Sequence, residues 1–115
     1  MDLGNLAFTF TYLCSDQVYD SGDPYGDNVV FVLNNLVMLT QGQGYDFYTW
    51  SPSPTAIAYG HAACYTGMDY YNCYSCLFTP RHEVLQFCPN RLGAQLHMED
   101  NYCTMRYEEY QFFDN

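Results

Sequence analysis

The chain has 115 residues, of which thirteen are acidic and three basic, for a formal charge of −10. That balance excludes nucleic-acid binding, which needs basic surface to displace counterions from phosphate, and weighs against cationic attack on anionic lipid. The length fits a single domain over 1–115 with a modest core, and no apolar run approaches the roughly 20 residues of a membrane helix, so no membrane insertion is expected.

Residues 6–15 alternate. Phe8, Phe10, Tyr12 and Cys14 point to one side and Thr9, Thr11, Leu13 and Ser15 to the other, which predicts a half-buried strand with Cys14 on its covered face. Residues 16–28 hold Asp16, Asp20, Asp23 and Asp27 among turn formers. Their spacing does not match a calcium-binding loop, so a solvated acidic loop is expected. Asp23-Pro24 reads as a helix cap followed by proline at the first helical position. The helix should run from Pro24 to Gln41 and stop at Gly42, with Val29, Val32, Leu33, Leu36, Val37 and Leu39 as its core stripe.

Tyr45 to Trp50 is aromatic and extended, Ser51-Pro52-Ser53-Pro54 interrupts it, and Thr55 to Tyr65 resumes as strand. A second helix is predicted over 69–88, capped by Asp69, with Cys73, Cys76 and Leu77 on one face. Pro80 should kink or split it, giving a second start at Thr79-Pro80. Beyond it, Leu92, Ala94, Leu96 and Met98 face the core, while Gln95, His97 and Glu99 face out. After a turn at Glu99-Asp100-Asn101, Cys103, Met105 and Tyr107 point inward and Thr104, Arg106, Glu108 and Tyr110 outward. Asp114-Asn115 reads as a tail.

Six cysteines in so short a chain predict three disulfides and a secreted protein. A zinc site would require a second close pair beside Cys73-x2-Cys76, or a histidine pair, and His61, His82 and His97 are far apart. Neither a metal nor an organic cofactor is expected. Met1-Asp2-Leu3-Gly4 is neither basic nor followed by an apolar segment, so the sequence reads as a mature, processed chain. Cys14 and Cys103 lie on covered strand faces and Cys76 and Cys88 on the second helix, which suggests staples between helix and sheet. Cys64 and Cys73 are left to close a short loop. Periodicity narrows the fifteen pairings of six cysteines without settling them.

The C-x8-C-x2-C run of Cys64, Cys73 and Cys76, with Cys14 upstream and Cys88 and Cys103 downstream, resembles the ginkbilobin-type, cysteine-rich stress-antifungal domain of secreted plant proteins. Ala58-Tyr59-Gly60, Leu92-Gly93-Ala94 and Tyr107-Glu108 add to the resemblance, which extends from Leu6 to Phe112. It implies an α+β fold with two helices on a sheet of about five antiparallel strands, and the pairing Cys14–Cys88, Cys64–Cys73 and Cys76–Cys103. It also implies a mannose site built from an asparagine after the first cysteine, an arginine on the penultimate strand and a glutamate on the last. The matching positions are Ser15, Gln95 and Glu108, so only the glutamate is kept. Arg106, two residues before Glu108 on the same face, can restore a cation, and His97 lies nearby.

Two functional expectations follow. One is a secreted, antifungal-like carbohydrate-binding module with a degenerate mannose-type site at Ser15, Gln95, Arg106 and Glu108. The other is an aromatic-rich extracellular protein that contacts a protein partner or a second copy of itself. Thirteen tyrosines, eight phenylalanines and one tryptophan exceed what a core this small holds, so Tyr65, Tyr70, Tyr71, Tyr74 and the 45–50 stretch should be partly exposed. Catalysis is not expected, because all six cysteines are committed and no nucleophile–histidine pattern is present.

Overall fold

In the computed structural model, which describes residues 9–99 and 102–114, strands and helices follow in the order β1 (Phe10–Cys14), α1 (Pro24–Leu39), β2 (Asp46–Trp50), β3 (Tyr59–Cys64), α2 (Tyr70–Phe87), β4 (Ala94–Met98) and β5 (Cys103–Glu108). The strands form one antiparallel sheet in the order β1-β4-β5-β3-β2. This is the α+β fold that the resemblance implied. Leu6 to Phe8, the turn residues Asp100 and Asn101, and Asn115 lie outside the described residues.

The two helices form because their ends are capped and one face of each is apolar. The Tyr25 N–H donates to Asp23 Oδ1 at 2.9 Å at the start of α1, and the Asn72 N–H donates to Asp69 Oδ1 at 2.8 Å at the start of α2. α1 ends at Leu39, two residues before the expected Gln41, and passes into a 3-10 turn over Thr40–Gly42. The buried Thr40 hydroxyl donates to the Leu36 carbonyl at 2.6 Å and helps to end the helix there. Tyr45 takes a positive φ of 65°, so it closes the turn, and β2 begins at Asp46 rather than Tyr45. β3 is likewise shorter than expected: its ladder starts at Tyr59, and residues 51–58 return as an irregular loop.

The core lies between the helices and one face of the sheet. Val29, Val32, Leu33 and Leu36 from α1 and Leu77 and Val84 from α2 meet Ala62, Leu96, Met105 and Tyr107 from the strands, all buried. Each aliphatic side chain of this size contributes about 2 kcal/mol by leaving water. Gly60 lets α1 approach β3, since a Cβ there would run into Val32 and Leu36.

Three disulfides join the layers: Cys14–Cys88, Cys64–Cys73 and Cys76–Cys103, the pairing implied by the resemblance. They also account for a correction. Pro80 does not split α2, which runs unbroken from Tyr70 to Phe87. A proline there lacks the N–H for one helical bond, at a cost of about 3 kcal/mol. Staples at Cys73 and Cys76 before it and Cys88 after it, with Leu77, Pro80 and Val84 buried, hold both halves of the helix on the sheet.

Candidate functional site

The helices cover one face of the sheet. The other face presents Leu13, Gln95, Arg106, His61 and Tyr48 as one row of cross-strand neighbours running through all five strands. Alternation put Gln95 and Arg106 on this face. Register puts them side by side, with Gln95 opposite Arg106 and Leu13 opposite Gln95.

Ser15 comes to the same place through the loop after β1. Its N–H donates to the Gly93 carbonyl at 2.8 Å and its own carbonyl accepts from Arg91 Nη1 at 2.6 Å, which fixes the 15–17 segment against 90–93. Two tyrosines hold that second segment from beneath. The Tyr25 hydroxyl donates to the Leu92 carbonyl at 2.6 Å and the Tyr107 hydroxyl to the Arg91 carbonyl at 2.9 Å. Burial first, and nearby phenol and carboxylate charge second, push both phenols well above the usual tyrosine range.

The result is a cleft of about 330 Å³ between the end of β1, the 92–95 segment and the end of β5, with Ser15, Gln95, Arg106 and Glu108 all in its lining. Gln17, Glu109 and Tyr110 complete its rim. Tyr110 lies past the end of β5, so it reaches the cleft from a bend and not from the strand on which it was expected. His97 stands beside the cleft, its Nε2 2.7 Å from the Gln95 amide oxygen. Gly93 leaves room here for the Glu108 carboxylate, which would have to move if a Cβ were added.

The hydrogen-bonding capacity of the cleft can be enumerated. Ser15 Oγ accepts from the Gln17 N–H at 3.1 Å, which leaves its proton to donate. With its oxygen facing His97, Gln95 directs its amide N–H groups elsewhere. Arg106 Nε donates to Glu108 Oε2 at 2.8 Å, so Glu108 retains lone pairs on Oε1. Burial opposes the Arg106 charge, but hydrogen bonds to Glu108 and Asp114 outweigh it and hold the guanidinium above its usual range. The opening thus presents both donors and acceptors, and the one cation among its described lining residues, Arg106, is already paired.

Asp114, read from the sequence as part of a tail, is tied down. Its Oδ1 accepts from Arg106 Nη1 at 2.5 Å, its Oδ2 lies 2.7 Å from His61 Nδ1, and its N–H donates to the Tyr48 hydroxyl at 2.7 Å. His61 is buried between Asp114 and Asp46, with Asp46 Oδ1 2.6 Å from its Nε2, and it stacks on Tyr48 at 4.0 Å. Phe112 lies under the Arg106 guanidinium, 4.0 Å from its ring centre. Sequence reasoning missed Asp46, His61, Phe112 and Asp114: the β3–β5 register brings His61 opposite Arg106, Asp46 reaches His61 from β2, and the segment after β5 brings Phe112 and Asp114 back to Arg106.

The aromatic expectation divides. Tyr65, Tyr70, Tyr71 and Trp50 are exposed, Tyr71 by 77%, whereas Tyr45, Phe47, Tyr48 and Tyr74 are half-buried by packing against neighbours. A second, more apolar cleft of about 530 Å³ lies between Tyr65, Met68, Met98 and Tyr102 beside α2.

The family model for salt stress response/antifungal proteins matches residues 13–110. The chain belongs to this family. The antifungal protein ginkbilobin-like protein of Picea abies is 31% identical over 103 residues, which cover 86% of this chain and 91% of that protein. Antifungal protein ginkbilobin-2 of Ginkgo biloba is 30% identical over 115 residues, 96% of this chain and 82% of that protein. Plasmodesmata-located protein 5 of Arabidopsis thaliana matches at 27% identity over 87% of this chain and 34% of its own length. In fold, the chain resembles the tandem DUF26 ectodomain of the Arabidopsis thaliana cysteine-rich receptor-like protein PDLP5, with a TM-score of 0.80 and 24% identity over 89% of this chain. It spans 50% of that ectodomain. Family membership and the sheet-plus-helices fold therefore agree.

Proposed function

We propose that this chain is a secreted, non-enzymatic defence module of antifungal type that binds a neutral, mannose-type glycan in the Ser15–Gln95–Arg106–Glu108 cleft. The observation that carries the reading is the convergence of these four side chains on one opening. A sugar hydroxyl both donates and accepts, so it is held best where donors and acceptors alternate, and charge-assisted bonds to Arg106 and Glu108 strengthen the grip. Ser15 in place of asparagine and Gln95 in place of arginine remove donors from the family pattern, so affinity is weak, in the millimolar range (about −4 kcal/mol). Glu108, Glu109 and the compensated Arg106 disfavour anionic ligands.

Titration of isotope-labelled protein with mannose and mannan tests this. The amides of Ser15, Gly93, Gln95 and Glu108 should shift together and saturate. Absence of a shift with any sugar at tens of millimolar would eliminate the reading.

A second reading has its own observation, the exposed Tyr70, Tyr71 and Phe78 along α2. Aromatic side chains exposed at this density suit contact with a protein partner or a second copy. Self-repulsion falls as the carboxylates protonate towards the pI of about 4.1, so light scattering should rise on acidification from pH 8 to 4. A constant monomer mass across that range would remove self-association.

A further inference from the structure

We infer that Asp114 is a positioning and specificity-determining residue for the cleft, acting through Arg106; this rests on the reading of the cleft as a glycan site. Among the described residues, Arg106 is the one basic side chain in the cleft lining. An arginine side chain is long and loses much rotamer freedom when it binds, so its value to a weak site depends on being fixed beforehand. Glu108 holds only its Nε, from two residues away on the same strand. The outer end of the guanidinium is held by Asp114 Oδ1 at Nη1, and its face by the Phe112 ring.

Asp114 can fix Arg106 because it is itself fixed. The Tyr48 hydroxyl accepts from the Asp114 N–H and donates to the Asp114 carbonyl at 3.1 Å. His61, buried and stacked on Tyr48, faces the second Asp114 oxygen, and Asp46 faces the other side of the His61 ring. A continuous chain of contacts, Asp46–His61–Asp114–Arg106–Glu108, thus runs from the β2 edge of the sheet to the cleft. Asp114 also supplies the second negative charge on Arg106. With Glu108 alone the Arg106 ion pair would be neutral; Arg106, Glu108 and Asp114 together carry a formal charge of −1, which would disfavour anionic sugars.

Asp114→Asn keeps the size of the side chain and removes its charge. Mannose affinity should fall by about 5- to 10-fold, on the scale of one ordinary hydrogen bond's net contribution, as Arg106 loses its outer restraint, while glucuronate affinity stays level or rises. Asp114→Glu should recover most of the mannose affinity. A general loosening of the fold would weaken both sugars alike, so an equal fall for mannose and glucuronate overturns the proposal. The Arg106 side-chain nitrogen resonances give a readout that needs no ligand. They should show restricted rotation of the guanidinium in the parent chain and Asp114→Glu, and averaging in Asp114→Asn. Unchanged restriction in Asp114→Asn refutes the positioning role even if no sugar binds, whereas averaging with no sugar bound to the parent chain removes the glycan reading alone.

Discussion

The outer sheet face and the helical layer behind it are both open over wide areas, and they carry opposite chemistry. On the sheet face, Gln95, His97, Arg106, Glu108, His61 and Asp114 are engaged with one another at hydrogen-bond distance. On the helical layer, Phe31, Met38, Tyr70, Tyr71 and Phe78 are exposed, and the aromatic contacts there are edge-on, as between Tyr74 and Phe78 at 4.8 Å. On the proposed readings, the first surface would select by direction, since each bond requires its partner at one angle, and the second would gain mainly by area, which tolerates many shapes. One small chain can keep both because the sheet between them is fixed to the helices by covalent staples.

The largest effects should come from cutting those staples. In the chain-entropy treatment, loops closed over sequence separations of 74, 27 and 9 residues are worth about 4.5, 3.5 and 2.5 kcal/mol. Double alanine variants of Cys14–Cys88, Cys76–Cys103 and Cys64–Cys73 should lose stability in that order in guanidinium unfolding. If the Cys64–Cys73 pair proved the costliest, loop length would not be what sets the scale, and native packing around α2 would take its place.

The next effect concerns the contact between the layers. Gly60→Ala places a methyl group against Val32 and Leu36, and overpacking of this kind costs about 2 kcal/mol. Thermal unfolding should show it as a lower midpoint with no loss of sheet signal. A neutral result would mean that α1 can shift away from β3 without penalty.

The tyrosines beneath the cleft add a dependence on pH. Tyr25 and Tyr107 have folded-state pKa values raised above those of the unfolded chain, so the unfolded chain releases their protons first. Their contribution is complete below about pH 10 and declines as pH rises beyond it, by about 1.4 kcal/mol per pH unit for each phenol that ionises only on unfolding. Urea midpoints measured from pH 8 to 11.5 should be flat and then fall. Tyr25→Phe should make the fall shallower while removing the bond that holds the Leu92 carbonyl.

Much of this division was legible in the sequence, because its signals are local. Asp23 and Asp69 cap the helices as their spacing suggested, and the alternation of Cys103, Met105 and Tyr107 with Arg106 and Glu108 separated core from surface. What was not legible depends on register and tertiary restraint. His61 stands opposite Arg106 only because β3 and β5 pair as they do, and nothing near Asp114 indicates that it will meet either. Pro80 breaks the local rule because disulfides and burial override it. Ser15, Gln95, Arg106 and Glu108 could be chosen by resemblance and face, but the cleft that joins them needs the turn at 90–93, where Asn90 takes a φ of 55°.

The smallest effects are the sharpest test of whether the two surfaces are independent. Glu108→Gln keeps the shape of the cleft but removes its strongest acceptor, and should weaken mannose by about tenfold, or roughly 1.4 kcal/mol, with the melting midpoint moved by only a few degrees. Tyr71→Ser removes an aromatic ring that is 77% exposed, and should leave that affinity unchanged while reducing association at pH 4. Sites with no shared partners add within about 0.5 kcal/mol, so the double variant should show both losses side by side. A coupling of about 1 kcal/mol or more between them would mean that the helical layer and the polar face communicate through the sheet and are not independent.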